Sequence, residues 1–309
     1  YEDLIAEYEK NSYTTKINEK NMKKYDIKEK ALKNGDWNEV SVNSDENYSL
    51  HGQANGLTMD NNVKYGNFYY KNSYNFRTKE LTENKIGISK TLNDYFGYSD
   101  NSYNKKTNQI SRDIQKITNE TTKNGEIRDL IDLYKNYKNK QKEIEQEALT
   151  VDDTKKDYAI QTKKYEVGTA SQYDYELAKT EYENSQLKYD NLGRELKILG
   201  EQFMIYNVKL PEKEKLDDLK REELKKEDFY ELRLSEAEAI ELNTKLNEEQ
   251  IKKENIDYKY PKLTGDLGYS LKDHSVVAGL SVSKTFKRYN DTIEDLKNEK
   301  EKLELQYEQ

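Results

Sequence analysis

Residues Tyr165–Ala178 read YEVGTASQYDYELA, and the reading of this stretch decides the fold. Upstream of it, Leu130, Tyr137, Ile144, Val151, Tyr158 and Tyr165 recur at intervals of seven; downstream, Tyr175, Tyr182, Tyr189, Leu196 and Phe203 do the same. A sustained seven-residue apolar repeat specifies helices that pack along a narrow seam. Between the two runs Gly168 can take the left-handed conformation that ends a helix. Ser171, with Asp174 three residues on, forms an acidic version of the capping box that starts the next helix. Asp174 also sits where the helix dipole favours a negative charge. Helices joined by so short a turn lie antiparallel, which predicts Tyr175 beside Tyr165 and Tyr182 beside Tyr158. In the second row Ile127, Tyr134 and Ala148 fit the upstream helix while Gln141, Lys155 and Thr162 do not; Ala178, Ser185, Leu192 and Leu199 supply it downstream. The expectation is one long helical hairpin over 99–205 with its tip at 166–172.

Composition supports an elongated helical shape. Of 309 residues 33% are hydrophobic and 36% charged, too little apolar material for one large core. Yet there are 27 Tyr against 6 Phe and 1 Trp, and disordered chains are poor in aromatics. A net charge of −8 argues against general nucleic-acid binding. The absence of Cys removes disulfides, thiolate metal sites and a Cys nucleophile. No run of about 18 apolar residues predicts a spanning helix, whereas the weaker per-strand signal of a β-barrel stays open. No GxSxG, P-loop, HExxH or GxGxxG motif occurs, and the two histidines, His51 and His274, fall in expected loops without acidic partners. We expect no enzyme and no cofactor.

The flanks read as follows. Residues 1–34 form a charged amphipathic helix that ends at Asn34-Gly35. Residues 37–93 alternate with period two, in WNEVSV, NYSLHG, VKYGNFYYKNSYNF and KIGISKTL, and read as strands with a polar loop near Met59-Asp60-Asn61-Asn62. Residues 206–232 are charge-dense, an expected irregular belt. Helix resumes over 234–257 and breaks at Tyr260-Pro261. In 262–286, Leu263, Leu267, Tyr269 and Leu271, then Ala278, Leu280 and Val282, alternate about a turn at Lys272–Ser275. A charged helix begins near Tyr289. Helix, strands and helical hairpin over 1–205 are thus followed, after the belt, by helix, strands and the start of a helix over 233–309, an internal repeat whose second copy is incomplete. ENKIGISKTLNDYFGYSDNS echoes VVAGLSVSKTFKRYNDT.

With that order in view, the chain resembles the TolC-like outer-membrane efflux protein family. The residues that carry the resemblance are YEVGTASQYD at 165–174 with Ala178 and Tyr182, YPKL at 260–263, and VAGLSVSKTF at 277–286. The resemblance implies an α+β membrane and periplasmic protein: long antiparallel coiled-coil hairpins plus four β-strands per chain, contributed to a trimeric 12-stranded barrel. It implies an outer-membrane exit duct of a tripartite efflux or type I secretion system. The implied partners are two further copies, a periplasmic adaptor, an inner-membrane pump and outer-membrane lipid. Two departures stand out. The strand-to-helix junctions carry Lys284-Thr285-Phe286 and Lys90-Thr91-Leu92 in place of the usual Pro, and a second long hairpin is missing, which makes a fragment the expectation, with a truncated protein unable to form a sealed tunnel as the alternative.

Each singled-out residue keeps two readings. Tyr165 and Asp174 are candidates for the aperture at the hairpin tip, or Asp174 is a helix cap. Gly168, Thr169, Ala170 and Ser171 are candidate adaptor contacts, or turn chemistry. Tyr48, Tyr65, Phe68, Tyr69, Tyr70, Tyr74 and Phe76 are candidates for an interfacial aromatic girdle, or ordinary strand formers. The alternative to a channel is a coiled-coil scaffold whose strands never meet lipid. Leu263, Leu267, Tyr269, Ala278, Leu280 and Val282 separate the two: they face outward in a channel and pack on helices of the same chain in a scaffold.

Overall fold

The computed structural model describes residues 2–49, 56–93, 99–209, 226–286 and 290–308. His51 and residues 210–225 of the expected belt lie outside them. The helices are α1 (Glu2–Asn11), α2 (Tyr13–Asn34), α3 (Asp100–Glu166), α4 (Gln172–Gln202), α5 (Lys226–Lys259) and α6 (Asp291–Glu308). The strands are β1 (Val40–Ser49), β2 (Gly56–Tyr65), β3 (Phe68–Asn75), β4 (Glu80–Thr91), β5 (Lys262–Ser270) and β6 (Ser275–Ser283). The chain divides into two compact units: Tyr1–Lys20 with Thr118–Leu224, and Asn21–Ile117 with Lys225–Gln309. The second unit unites strands from both sequence repeats in one sheet.

In the first unit the hairpin of α3 and α4 carries a core at its base. Leu4 and Tyr8 of α1 pack with Leu130, Leu133, Tyr134, Tyr137, Phe203 and Val208. Tyr8 donates to Glu126 Oε2 at 2.5 Å, and Thr14 donates to Glu126 Oε1 at 2.7 Å. The helix expected over 1–34 is interrupted at Ser12. Its Oγ accepts from the amides of Thr14 and Thr15, as an N-cap does, so the hydroxyl starts a new helix within an unbroken polar pattern.

The sheet of the second unit is an antiparallel meander in the order β1-β2-β3-β4-β5-β6. It has six strands, not the expected four. The stretch 37–93 supplies four strands by itself, because Met59–Asn62 is not a loop: it lies in the middle of β2, paired with Asn43–Glu46 on one side and Lys71–Tyr74 on the other. Asn61 and Asp60 find side-chain partners across the sheet. Ser44 donates to Asn61 Oδ1 at 2.7 Å, Asn61 Nδ2 donates to Asn72 Oδ1 at 2.9 Å, and Asn47 Nδ2 donates to Asp60 Oδ2 at 2.9 Å. Asn and Asp are depleted from strands on average, and these cross-strand partners override that tendency. A second difference lies after the belt. Residues 226–232 are the first turns of α5, since Lys, Glu and Leu are good helix formers and charge density alone does not break a helix.

Asn93 closes the sheet against the Tyr260-Pro261 break: its Nδ2 donates to the Pro261 carbonyl at 2.8 Å and its Oδ1 accepts from the Leu263 amide at 2.6 Å. Alongside the sheet, Arg112 pairs with Asp26 at 3.1 Å, Lys253 with Asp100 at 2.7 Å, and Lys106 with Glu249. Ile293 and Leu303 of α6 are buried.

Candidate functional site

Two regions bring functional side chains together, the hairpin tip and the faces of the sheet. At the tip α3 ends at Glu166 and α4 starts at Gln172. Gly168 has φ +75°, a conformation that strains any residue with a Cβ. The amide of Gly168 donates to the Tyr165 carbonyl at 3.0 Å, and those of Thr169 and Ala170 donate to the Lys164 carbonyl at 2.8 and 3.2 Å. The last carbonyls of α3 are thereby occupied. Ser171 caps α4 reciprocally: its Oγ accepts from the Asp174 amide at 3.1 Å and donates to Asp174 Oδ2 at 2.6 Å, and its amide donates to the same oxygen at 3.3 Å. These bonds, the side-chain one first, hold the Asp174 carboxyl below the usual aspartate range, with Lys164 adding to the effect. Tyr165 stacks on Tyr175 at 5.1 Å, and Tyr158 stacks on Tyr182 at 5.9 Å, the antiparallel pairing that the spacing predicts. Val167 and Tyr173 project from this end 73% and 72% exposed.

The second row of the seam differs from the expectation. Ala148 is exposed, and Glu147 and Thr154 turn toward α4 instead. Glu147 is buried beneath Lys188 at 2.6 Å, and Lys140 reaches Glu195 at 2.9 Å. The Thr154 and Ser185 hydroxyls meet at 2.8 Å. Reading by hydropathy passes over such a row, because its members are polar and are matched only across the pair.

Cross-strand register places every residue of the sheet on one of two faces. Val40, Tyr65, Phe68, Ile88, Leu267 and Ala278 stand level, and so do Val42, Val63, Tyr70, Ile86, Tyr269 and Val276. Tyr48, Leu57, Met59, Tyr74, Leu263, Leu280 and Val282 share their face by the same alternation. This face is uncovered: Val42, Leu267, Leu280 and Val282 are 69%, 57%, 65% and 62% exposed. Trp37, which the sequence reading did not single out, lies against Tyr65 and Phe68 at 5.2 and 5.7 Å and so ends the face near the helices. Tyr74 and Phe76, 5.1 Å apart, mark its other end with Tyr48.

The opposite face is polar. It carries Lys64, Lys71 and Lys85 toward the helix end and Asp45, Asp60, Glu80 and Glu83 toward the far turns. Tyr69 belongs here rather than with the aromatic girdle. It is buried, donates to Asp266 Oδ1 at 2.8 Å, and shares that carboxylate with Lys85 at 3.3 Å. Its ring crosses Gly87 and Gly268, where any Cβ would collide with it. The two glycines let one tyrosine bridge β3 to β5.

No helix among the described residues is long and apolar enough to cross a membrane, and no group of three or more His, Asp or Glu among them could hold a metal.

No known family profile and no curated protein matches the sequence. Solved structures do. The outer membrane protein VceC of Vibrio cholerae superposes with a TM-score of 0.68 at 9% identity, over 99% of this chain and 74% of its own. CusC, described as forming a transmembrane channel, gives 0.67 at 12%, over 99% and 71%. The MtrE outer membrane channel of Neisseria gonorrhoeae gives 0.65 at 13%, over 99% and 68%. The fold is the TolC-like fold.

Proposed function

We propose that this chain is one subunit of an outer-membrane channel: its sheet joins those of further copies to form a lipid-embedded barrel, and its helical hairpin reaches into the periplasm. The observation that carries this reading is the uncovered apolar face. It spans all six strands and opposes a polar face, so that, apart from Glu46 and the bonded row of Ser44, Asn61 and Asn72, the strands read apolar-out and polar-in, as lipid-embedded barrel strands do. The residues chosen to separate channel from scaffold lie on the uncovered side, not against helices of the same chain.

The dimensions agree. Val40 and Tyr48 are eight residues apart along β1, about 27 Å at the usual strand rise, or roughly 20 Å of height at a barrel's tilt. The apolar band of an outer-membrane barrel is about 25 Å tall. Aromatic residues stand at both ends, where amphipathic rings suit the membrane interface. The polar row Ser44-Asn61-Asn72 within the band is bonded to itself, which lowers the cost of polar groups in lipid. Unpaired strand edges are not tolerated in lipid, so β1 and β6 require other copies. A homotrimer accords with the resemblance drawn from the sequence.

In this reading the duct is passive. Nothing in the sequence supplies a nucleotide site, and the driving energy comes from an inner-membrane pump reached through a periplasmic adaptor. Gly168, Thr169, Ala170 and Ser171 present small side chains and occupied backbone groups where an adaptor helix can approach. Tyr165 and Asp174 line the aperture, where three copies of a carboxylate held ionised favour cations. The capping role of Asp174 and its gating role are compatible.

Reconstitution tests the proposal. The purified chain is expected to need detergent and to insert into planar bilayers with discrete conductance steps. Asp174→Ala is expected to raise the conductance by loosening the tip. A water-soluble monomer with folded strands sinks the channel reading. Unchanged conductance in Asp174→Ala leaves that residue as a cap alone.

A further inference from the structure

The undefended edges of the sheet point to a barrel wider than the resemblance implies. We propose that β1 and β6 are the strands that join neighbouring copies, so that each copy contributes six strands, and the three copies proposed above close an 18-stranded barrel in place of a 12-stranded one. This rests on the channel reading and adds to it the identity of the seam and the width of the lumen.

Three observations carry it. First, β1–β6 form one continuous antiparallel meander in which every successive pair is laddered, with one irregularity at Ser73/Tyr74 between β3 and β4, and the β1–β2 hairpin is laddered over all ten residues of each strand. Its outward positions Val40, Val42, Tyr48, Leu57, Met59, Val63 and Tyr65 are apolar, interrupted by the bonded Ser44-Asn61 pair and by Glu46. A hairpin folded aside in water has no use for that pattern.

Second, β6 and the first half of β1 lack the devices that exposed edges carry, Asp45 and Glu46 charging only the second half of β1. Solvent edges are blunted by Lys, Pro or bulges. β6, SVVAGLSVS, has no charge, no Pro and no bulge, and all nine residues are exposed. The first five residues of β1, VSVNS, are likewise uncharged, and no irregularity breaks its ladder. Among the described residues no strand covers the outer side of either one.

Third, the edges are compatible. An even number of strands leaves β6 antiparallel to a neighbour's β1. The apolar residues of β6 run from Val276 to Val282, on both sides of Ala278, which stands level with Val40, whereas those of β1 run from Val40 in one direction only. The apolar band therefore slants across the sheet, the stagger that closing a barrel requires.

With strands about 4.8 Å apart and tilted by about 40°, 18 strands close at a backbone diameter of about 36 Å, against about 24 Å for 12. The enclosed cross-section roughly doubles. Barrels of this strand number leave an aqueous channel, here lined by the lysine and carboxylate rows of the polar face. The cargo class that fits is a large hydrated solute or a polypeptide, passed without a constriction at the barrel.

The natural absence of Cys makes disulfide mapping clean. One chain carries a cysteine on each proposed edge: Val40→Cys, Val42→Cys or Ser44→Cys in β1, combined with Val276→Cys, Ala278→Cys or Leu280→Cys in β6. A second set pairs Phe68→Cys or Tyr70→Cys of β3 with the same β6 cysteines. Within one sheet β6 is three strands from β3 and five from β1, too far for a bond inside one copy. The positions are outward-facing, and detergent-stable oligomers are verified first by light scattering. At least one β1–β6 register is expected to give covalent dimers and trimers on oxidation, with at least ten-fold less product from every β3–β6 pair. Polymer exclusion in bilayers is expected to report a wide mouth. Links from β3–β6 but not β1–β6, or oligomers in which neither set links, overturn the wide barrel while leaving a channel standing. A chain that stays monomeric in detergent overturns the channel and the seam together.

Discussion

The two ends of the helical hairpin are built from the same seven-residue repeat and are held together differently. At the base, Leu130, Tyr134, Tyr8 and Phe203 are buried almost completely, and α1 closes over the seam. At the tip the repeat continues as Tyr158, Tyr165, Tyr175 and Tyr182, but among the described residues no third helix covers it. The rings stack on one another, the remaining seam positions are small or polar, and backbone caps complete the turn. Burial scales with apolar area, so the base is fixed strongly. The tip is fixed by a few hydrogen bonds, each worth about 1 kcal/mol, and can be displaced at small cost. The channel proposed above, anchored at one end and adjustable at the other, would use that gradient.

The contrast can be broken by mutation, and the base gives the largest effect. Phe203→Ala is expected to destabilise by about 3–5 kcal/mol, whereas Tyr182→Ala near the tip loses mainly a stacked pair, about 1 kcal/mol. Urea midpoints that shift equally for the two remove the distinction. Next is Tyr8, whose phenol is pushed up to about 12 by burial and by its bond to Glu126. Because the folded value is raised, the stabilisation is present in full below the ordinary tyrosine value of 10.0 and is lost as pH rises through about 12. Tyr8→Phe is expected to cost about 1–2 kcal/mol at neutral pH and to abolish that alkaline loss, as followed by circular dichroism.

At the tip the effects shrink. Gly168→Val places a Cβ at φ +75° in open space, so the cost is backbone strain alone, about 1–2 kcal/mol. A thermal midpoint equal to wild type would move the turn elsewhere. Ser171→Ala removes the cap, about 1 kcal/mol. Asp174 titrates below its ordinary value, so its contribution is present above the ordinary aspartate range and is lost as pH falls through the lowered pKa. In Ser171→Ala that acid dependence is expected to weaken, the amide of residue 171 and Lys164 still favouring the carboxylate, with faster amide exchange over 171–175 as the readout.

Much of this was legible in residue order. The tip was readable because Gly168, Ser171 and Asp174 act through local backbone chemistry, which depends on spacing alone. The tyrosine pairs were readable because an antiparallel turn fixes the partner once the heptad is known. Glu147 and Thr154 were not, since a buried carboxylate or hydroxyl declares itself only beside Lys188 or Ser185. Asn61 was read as loop for the same reason: its partners, Ser44 and Asn72, lie on other strands. Tyr69 was grouped with its aromatic neighbours because period-two alternation identifies two faces but does not say which one a tyrosine serves. Gly87, Gly268 and Asp266 decide that, and two of the three are nearly 200 residues away.

The sequence by itself determined the local elements: a hairpin that reverses at Gly168, alternating strands, and an order of elements that resembles one family. Those follow from interactions a few residues long. The tertiary structure alone decided that the strands number six, that 37–93 and 262–286 share one sheet, and that its apolar face is left uncovered. These depend on pairings across the whole chain, whose loop-closure cost no local pattern records.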